Sequence, residues 1–155
     1  MNSVLFSSKS NEWRTPQDFF DKLNAEFHFV LDAAATDENA KCGNYFTPET
    51  DGLSQSWNVG GAVYCNPPYG RQIGLWCKKA WEESKKTDYP IVLLIPCRTD
   101  TSYFHDYILG KSEVRFIRGR LKFENENGEL RNPAPFPSCV VIYNKTRPYR
   151  HGGKR

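Results

Sequence analysis

The chain has 155 residues, of which 39% are hydrophobic and 25% charged, a composition typical of one globular domain. We therefore expect no separate specificity domain, and no segment reaches the roughly 20 apolar residues that would span a bilayer. The net charge of +3 is uneven, because Arg115, Arg118, Arg120 and Lys122 form one cluster and more basic residues follow from Lys145. Such clusters suit a phosphate backbone, with solvated surface segments as the alternative.

The cysteines and histidines indicate the compartment and the absence of a metal site. The five cysteines include no Cys-x-x-Cys pair, and an odd number cannot pair fully within one chain. Reduced thiols and a polar, Ser-rich start without an export signal predict a soluble, cytoplasmic protein. Because paired ligand spacings are absent and the three histidines are scattered, we expect no metal.

In the first half, a helix, a strand and a long loop are predicted. Thr15 has the position of an N-cap with Pro16 at the first helical position, and the aromatic residues from Phe19 to Phe27 recur at helical spacing. The apolar run 29–31 predicts a buried parallel strand that ends on Asp32. The polar segment 36–58 resembles a ligand-binding loop, with a short strand around residues 44–47.

The second half alternates strands and helices. The apolar segments predict strands at 62–65, 90–96, 114–117, 121–123 and 138–143, and helices at 73–81 and 103–110. The helix at 73–81 should bury Trp76 and Trp81 and turn its charged residues, Lys78, Lys79, Glu82, Glu83, Lys85 and Lys86, toward water. Asn127-Gly128 predicts a hairpin turn. The alternation indicates an α/β sheet.

The motif Asn66-Pro67-Pro68-Tyr69 follows the second predicted strand directly, at the edge where an open parallel sheet collects its ligands. An exocyclic amine is a poor nucleophile because its lone pair is conjugated with its ring. The Asn66 oxygen can accept one amine N–H group and the Pro67 carbonyl the other. Tyr69 would offer a flat face for a base flipped out of a duplex. The motif therefore predicts activation of an amine; a plain loop over a packed tyrosine is the alternative.

With its neighbouring segments, this motif resembles the amino-methyltransferases, and more narrowly the phage-type, Dam-like DNA N6-adenine methyltransferases. The resemblance runs from Trp13 to Tyr143. It includes Trp13-Arg14-Thr15-Pro16, Leu31-Asp32-Ala33-Ala34-Ala35, Asp51-Gly52-Leu53 with Trp57, Asn66-Pro67-Pro68-Tyr69-Gly70, Ile95-Pro96 with Arg98, and Arg118-Gly119-Arg120-Leu121. It implies methyl transfer from S-adenosylmethionine to N6 of adenine in DNA, with S-adenosylhomocysteine as product.

The resemblance also implies a fold and a donor site. The fold is α/β and Rossmann-like: one small domain at 13–145 with a mixed, mostly parallel sheet and a C-terminal antiparallel strand, between a flexible start at 1–12 and a basic, flexible tail at 146–155. The loop after Asp32 is alanine-rich where many methyltransferases have glycines. The residues expected to contact the donor are Trp13, Thr15, Pro16, Asp32, Ala33, Ala34, Asp51 and Asn66.

The expected partner is double-stranded DNA, contacted by Arg71, Arg98, Arg118, Arg120 and Lys122. Arg98 can instead pair with Asp100, Asp32 can be a turn former, and Asp51 before Gly52 is also an ordinary turn signal. A homodimer is left open. The functional alternatives are methylation of another amine or amide, such as an RNA base or protein glutamine, and a catalytically idle nucleic-acid-binding protein.

Overall fold

The structure is a computed structural model that describes residues 12–145. The predicted basic tail and nearly all of the predicted flexible start lie outside the described residues. Within them, the helices are α1 (Gln17–Phe27), α2 (Ile73–Ser84) and α3 (Ser102–Tyr107), with a short 3-10 helix at Gly52–Ser54. The strands are β1 (Phe29–Asp32), β2 (Ala62–Cys65), β3 (Ile91–Pro96), β4 (Glu113–Phe116) and β5 (Ser138–Tyr143).

The five strands form one mixed sheet in the order β1-β2-β3-β5-β4. β1, β2 and β3 are parallel, whereas β5 is antiparallel to both of its neighbours, β3 and β4. This confirms the predicted Rossmann-like α/β fold with a mostly parallel sheet and a C-terminal antiparallel strand. The carboxyl ends of β1 and β2 consequently lie side by side, where Ala33 N–H donates to the Tyr64 carbonyl at 2.9 Å.

Burial follows each strand's place in the sheet. Every residue of β2, β3 and β5 is buried, in agreement with their apolar sequences. The prediction that β1 is buried was wrong for its first half, since Val30 is 39% exposed. β1 is an edge strand, so only its end at Leu31 and Asp32 is covered.

The start of α1 differs from the prediction. The helix begins at Gln17, Pro16 occupies the N-cap position, and no side-chain hydrogen bond caps it from within the segment. The Gln17 N–H instead donates to the Glu124 carboxylate at 2.8 Å. The buried Thr15 hydroxyl shares a 2.6 Å hydrogen bond with the Tyr64 hydroxyl. Thr15 is therefore not the N-cap, because a tertiary partner on β2 takes its hydroxyl.

Glu83 in α2 was predicted to face water and is buried, with 1% of its surface exposed. Its carboxylate accepts the Trp57 backbone N–H at 2.7 Å and forms ion pairs with Lys79 at 3.2 Å and Lys86 at 3.1 Å. A buried charge is tolerated when it is paired and hydrogen-bonded in this way. Trp57 is itself fully buried and donates from Nε1 to the Gly52 carbonyl at 2.9 Å. Glu83 therefore anchors the loop before β2 to α2.

Two predicted strands, at 44–47 and 121–123, are not formed. Residues 44–47 contribute one parallel bridge, between Tyr45 and Asp32. Residues 121–123 form no strand, although the neighbouring Glu124 bridges Leu130 and Arg14. The hairpin turn between Glu124 and Leu130 is present, with Gly128 at φ 78°. These pairings are too short to count as strands, yet they place both segments beside the sheet.

All five cysteines are free, as expected. Trp76 is buried, as predicted, and Trp81 is partly buried with the Lys85 ammonium 3.3 Å from its ring centre. Among residues 12–145, no helix is both long and apolar enough to cross a membrane. The same residues contain no cluster of three or more His, Cys, Asp or Glu side chains arranged to hold a metal ion.

Candidate active site

A cavity of about 550 Å³ opens at the carboxyl ends of β1 and β2. Most of the residues predicted to contact a donor line it, namely Trp13, Thr15, Asp32, Ala34, Asp51 and Asn66. Pro16 and Ala33 are buried and are not part of its lining. The cavity therefore brings together segments that are far apart in the sequence.

Asp32 ends β1 and lies at the cavity with only 3% of its surface exposed. Its carboxylate accepts the Lys41 backbone N–H at 3.0 Å and, at 3.4 Å, that of Ala34. Burial raises the pKa of Asp32 from 3.8 to about 6, and the two backbone hydrogen bonds and the positive charge of Lys41 offset only part of this effect. The cavity thus holds an acid whose negative charge is incompletely compensated.

Another part of the cavity wall is shaped by a close approach between two loops. Asp51 has a left-handed backbone (φ 57°), and its exposed carboxylate accepts the Leu53 N–H at 3.2 Å, which makes it a turn former as well as a lining residue. A side chain at Gly52 would place its Cβ 2.3 Å from the Ala33 carbonyl oxygen. Glycine is therefore required at position 52 rather than in the alanine-rich loop that faces it.

Asn66 has its side-chain amide held in one orientation. Its Nδ2 donates to the Trp13 carbonyl at 2.6 Å, and its Oδ1 accepts from the Tyr69 hydroxyl at 2.6 Å. The Tyr69 hydroxyl also contacts the Leu94 carbonyl at 3.0 Å. The oxygen that was predicted to accept an amine therefore already has one hydrogen-bond partner, and a carbonyl oxygen has room for a second.

Tyr69 is 7% exposed and lies outside the cavity lining. Its ring packs edge-on against Phe136 and Phe123, at 5.8 and 6.2 Å between ring centres. In this conformation it offers little free face for a stacked base. Pro67 is buried and Pro68 exposed, and both line the cavity.

The segment before α1 is clamped against the hairpin. Arg14 forms a one-residue antiparallel bridge with Glu124, and the Arg131 guanidinium lies 3.7 Å from the Trp13 ring centre. Arg131 also donates to the Glu12 carbonyl at 2.9 Å. This clamp fixes the Trp13 carbonyl, which in turn orients the Asn66 amide.

The basic residues predicted to contact DNA are exposed and lie outside the cavity lining: Arg71, Arg98, Arg118, Arg120 and Lys122. Arg98 forms no ion pair with Asp100, and its guanidinium lies 5.9 Å from the Phe136 ring centre. Arg115, also part of the basic cluster, forms a bidentate ion pair with Glu26, with distances of 2.8 and 2.6 Å. The cluster therefore has fewer available positive charges than the sequence alone indicates.

Several lining residues were not among those predicted to contact the donor: Lys41, Phe46, Leu53, Gln72 and Trp76. Trp76 has the helical spacing of a core residue, and it is buried, but part of its surface also faces the cavity. Lys41 lies in a loop without periodicity and reaches the cavity because its backbone binds Asp32. Neither position has a local sequence signal for a binding role.

A family profile described as DNA N-6-adenine-methyltransferase (Dam) matches residues 2–152. A DNA N-6-adenine-methyltransferase of Escherichia phage T1 is 30% identical over 118 residues, 76% of this chain and 49% of the relative. Another, from Haemophilus phage HP1, is 28% identical over 146 residues, 92% of this chain and 83% of the relative.

A putative methyltransferase of Escherichia coli K12, YfdM, is 40% identical over 65 residues, 38% of this chain and 71% of the relative. The aligned part of this chain thus spans about half of the phage T1 protein and most of the phage HP1 protein.

The sheet order, the cavity at the strand ends and the Asn-Pro-Pro-Tyr loop in its wall define a Rossmann-like domain of the methyltransferase type. The profile match covers nearly the whole chain. The chain belongs to the Dam family of DNA N-6-adenine-methyltransferases.

Proposed function

We propose that this protein transfers a methyl group from S-adenosylmethionine to the N6 amine of adenine in double-stranded DNA. The observation that carries the proposal is the Asn66 amide, which lies in the cavity wall with its orientation fixed by Trp13. Asn66 and the Pro67 carbonyl would accept the two amine N–H groups, and Pro68 would hold the turn of the loop.

The cavity fits the expected donor in size and charge. Its volume of about 550 Å³ lies within the range of small-molecule sites. Asp32 is a buried acid whose ionised form lacks a full counter-charge, which suits a ligand that carries cationic groups. When bound, the donor supplies a methyl group activated by its sulfonium. Thr15, Asp51 and the other predicted contacts would then align it.

Activation of the amine depends on the acceptor geometry of Asn66. Its Nδ2 donates to the Trp13 carbonyl, which aims its oxygen; that oxygen accepts from the Tyr69 hydroxyl and has a second lone pair for a substrate N–H group. An asparagine accepts without becoming a strong base, and it adds no negative charge beside a phosphate-bearing substrate. The protein would therefore activate the amine by orientation and polarity; methyl transfer breaks the donor's methyl–sulfur bond and leaves the neutral thioether, and the methylated amine gives its extra proton to water.

Stacking of the target base on Tyr69 requires the ring to leave its present position. Tyr69 is held by hydrogen bonds to Asn66 and Leu94 and by edge contacts with Phe123 and Phe136. Rotation would release the Asn66 oxygen and expose the aromatic face in one movement. Base entry and exposure of the acceptor are then coupled, which is consistent with an enzyme that acts on a flipped base.

The exposed guanidinium and ammonium groups of Arg71, Arg98, Arg118, Arg120 and Lys122 support a phosphate-bearing substrate. The names of the phage relatives favour DNA adenine over an RNA base or protein glutamine. The alternative function outside the enzymes is that of a catalytically inactive protein that binds nucleic acid. A homodimer and a cytoplasmic location stay predictions.

The proposal is tested with Asn66→Ala and, as a matched control, Asn58→Ala, which alters an exposed asparagine outside the cavity. Methyl transfer to plasmid DNA should fall by orders of magnitude in Asn66→Ala and persist in the control, while calorimetry shows donor binding by both. Activity of Asn66→Ala within a few-fold of wild type would contradict the mechanism. A folded wild-type protein that binds no donor would contradict the enzyme itself.

A further inference from the structure

Lys41 is a basic residue of the cavity lining whose ammonium attracts the Asp32 carboxylate only through space, without a direct ion-pair contact. Within residues 12–145 it forms no ion pair, and its Nζ donates to the neutral Gln17 side-chain oxygen at 2.8 Å. Arg14, the other cation of the lining, forms an ion pair with Glu12 at 2.7 Å. An ammonium has three donors, so Lys41 keeps hydrogen-bonding capacity for a ligand.

The Lys41 backbone binds the Asp32 carboxylate directly, whereas the two side chains attract each other only at a distance beyond an ion-pair contact. The Lys41 N–H donates to the Asp32 carboxylate at 3.0 Å, while the Lys41 ammonium extends to Gln17 at the start of α1. The same stretch of wall thus presents an acid and, at a short distance, a cation. A free α-amino acid has the complementary pattern, because an ammonium and a carboxylate branch from one carbon.

The start of α1 is a competing place for a ligand carboxylate, since helix N-termini favour anions. Its first amide, Gln17 N–H, is already bonded to the Glu124 carboxylate at 2.8 Å. A ligand carboxylate there would have to displace Glu124 or lie beside a like charge. The Lys41 ammonium would attract a ligand carboxylate without placing it beside the negative charge of Glu124.

We propose that Lys41 binds the carboxylate of the donor's methionine moiety and that Asp32 faces its ammonium group. The proposal rests on the proposed function, because it assumes that the donor is S-adenosylmethionine. It adds Lys41, with Gln17 as the residue that positions its ammonium, to the residues expected around the donor.

The test compares two ligands, S-adenosylmethionine and its decarboxylated analogue, on wild type, Lys41→Gln and Lys41→Arg. Lys22→Gln is the matched control, since Lys22 is exposed on α1 and outside the cavity lining. By calorimetry, Lys41→Gln should bind S-adenosylmethionine about ten-fold more weakly than wild type, as expected for loss of a charge-assisted hydrogen bond. It should bind the decarboxylated analogue as wild type does, and Lys41→Arg should recover part of the affinity.

The outcomes distinguish failure of the Lys41 role from failure of the proposed function. Unchanged S-adenosylmethionine affinity in Lys41→Gln, or equal loss for both ligands, would overturn the role of Lys41 and leave the donor assignment intact. No binding of either ligand by folded wild-type protein would overturn the proposed function, and the role of Lys41 with it. A thermal melt of each variant checks that the fold is retained.

Discussion

Replacing Asp32 with asparagine should stabilise the donor-free protein and impair donor binding. Asp32 is 3% exposed, and burial raises its pKa from 3.8 to about 6. The folded state therefore disfavours the ionised carboxylate more than the unfolded chain does. A carboxylate maintained at this cost is typical of a site that trades stability for ligand binding.

The magnitude follows from the pKa change. A rise from 3.8 to about 6 corresponds to about 3 kcal/mol of lost stability at neutral pH. Asparagine keeps an acceptor for the Lys41 N–H, but its Nδ2 would face the Ala34 N–H, so the long 3.4 Å hydrogen bond is replaced by two opposed donors, which reduces the gain. We therefore expect Asp32→Asn to raise the free energy of unfolding at pH 7 by about 1–3 kcal/mol.

The sign of the pH dependence provides a second check. Because the folded pKa of Asp32 lies above the unfolded value, its contribution to stability is fully present below about pH 3.8 and is lost as the pH rises through about 6. The advantage of Asp32→Asn should shrink as the pH falls from 7 toward 4. Wild-type donor affinity should also fall below pH 6, about ten-fold per pH unit, and the variant should lack this dependence.

The assay is urea denaturation of donor-free wild type and Asp32→Asn at pH 4, 5, 6 and 7, together with calorimetric titration of S-adenosylmethionine. Asp18→Asn on the exposed first turn of α1 is the control and should change neither quantity much. The reasoning is refuted if Asp32→Asn is less stable than wild type at pH 7, or if it binds the donor with wild-type affinity.

Three further variants test other contacts. Tyr69→Phe should lower the free energy of unfolding by about 1–2 kcal/mol and keep turnover within a few-fold of wild type. Tyr69→Ala should lower turnover about ten-fold or more, because the ring on which the base stacks is missing. Wild-type turnover in the alanine variant would argue against stacking. Neutralising Arg118 and Arg120 should reduce the slope of log affinity for DNA against log salt concentration by about 2. Arg115→Gln should leave this slope unchanged, because the Arg115 guanidinium is already paired with Glu26. Filter binding at several salt concentrations measures the slope. Glu83→Ala should lower the free energy of unfolding by about 3 kcal/mol in urea denaturation, and a loss below 1 kcal/mol would contradict the anchoring role.

The sequence predicted the central strands and the position of the candidate catalytic loop after β2. β3 and β5 are apolar throughout and buried throughout, so composition alone indicates their place. Asn66 could be located because β2 ends at Cys65, and the two prolines that follow Asn66 cannot continue a strand. In these cases the information lies within a few consecutive residues.

The remaining features depend on contacts between distant residues. The Thr15 hydroxyl bonds to Tyr64, 49 positions away, and Glu83 accepts from Trp57, 26 positions away. A local pattern cannot distinguish a helix cap or a solvated glutamate from these arrangements. The exposure of Val30 likewise follows from the strand order, which places β1 at an edge.

Methylation of plasmid DNA with labelled S-adenosylmethionine, followed by detection of the modified base, tests the central claim most directly. Purified wild-type protein should place label on N6 of adenine, and Asn66→Ala should place almost none while still binding the donor. Label on another base, on RNA or on protein, or equal labelling by both proteins, would contradict the proposed function.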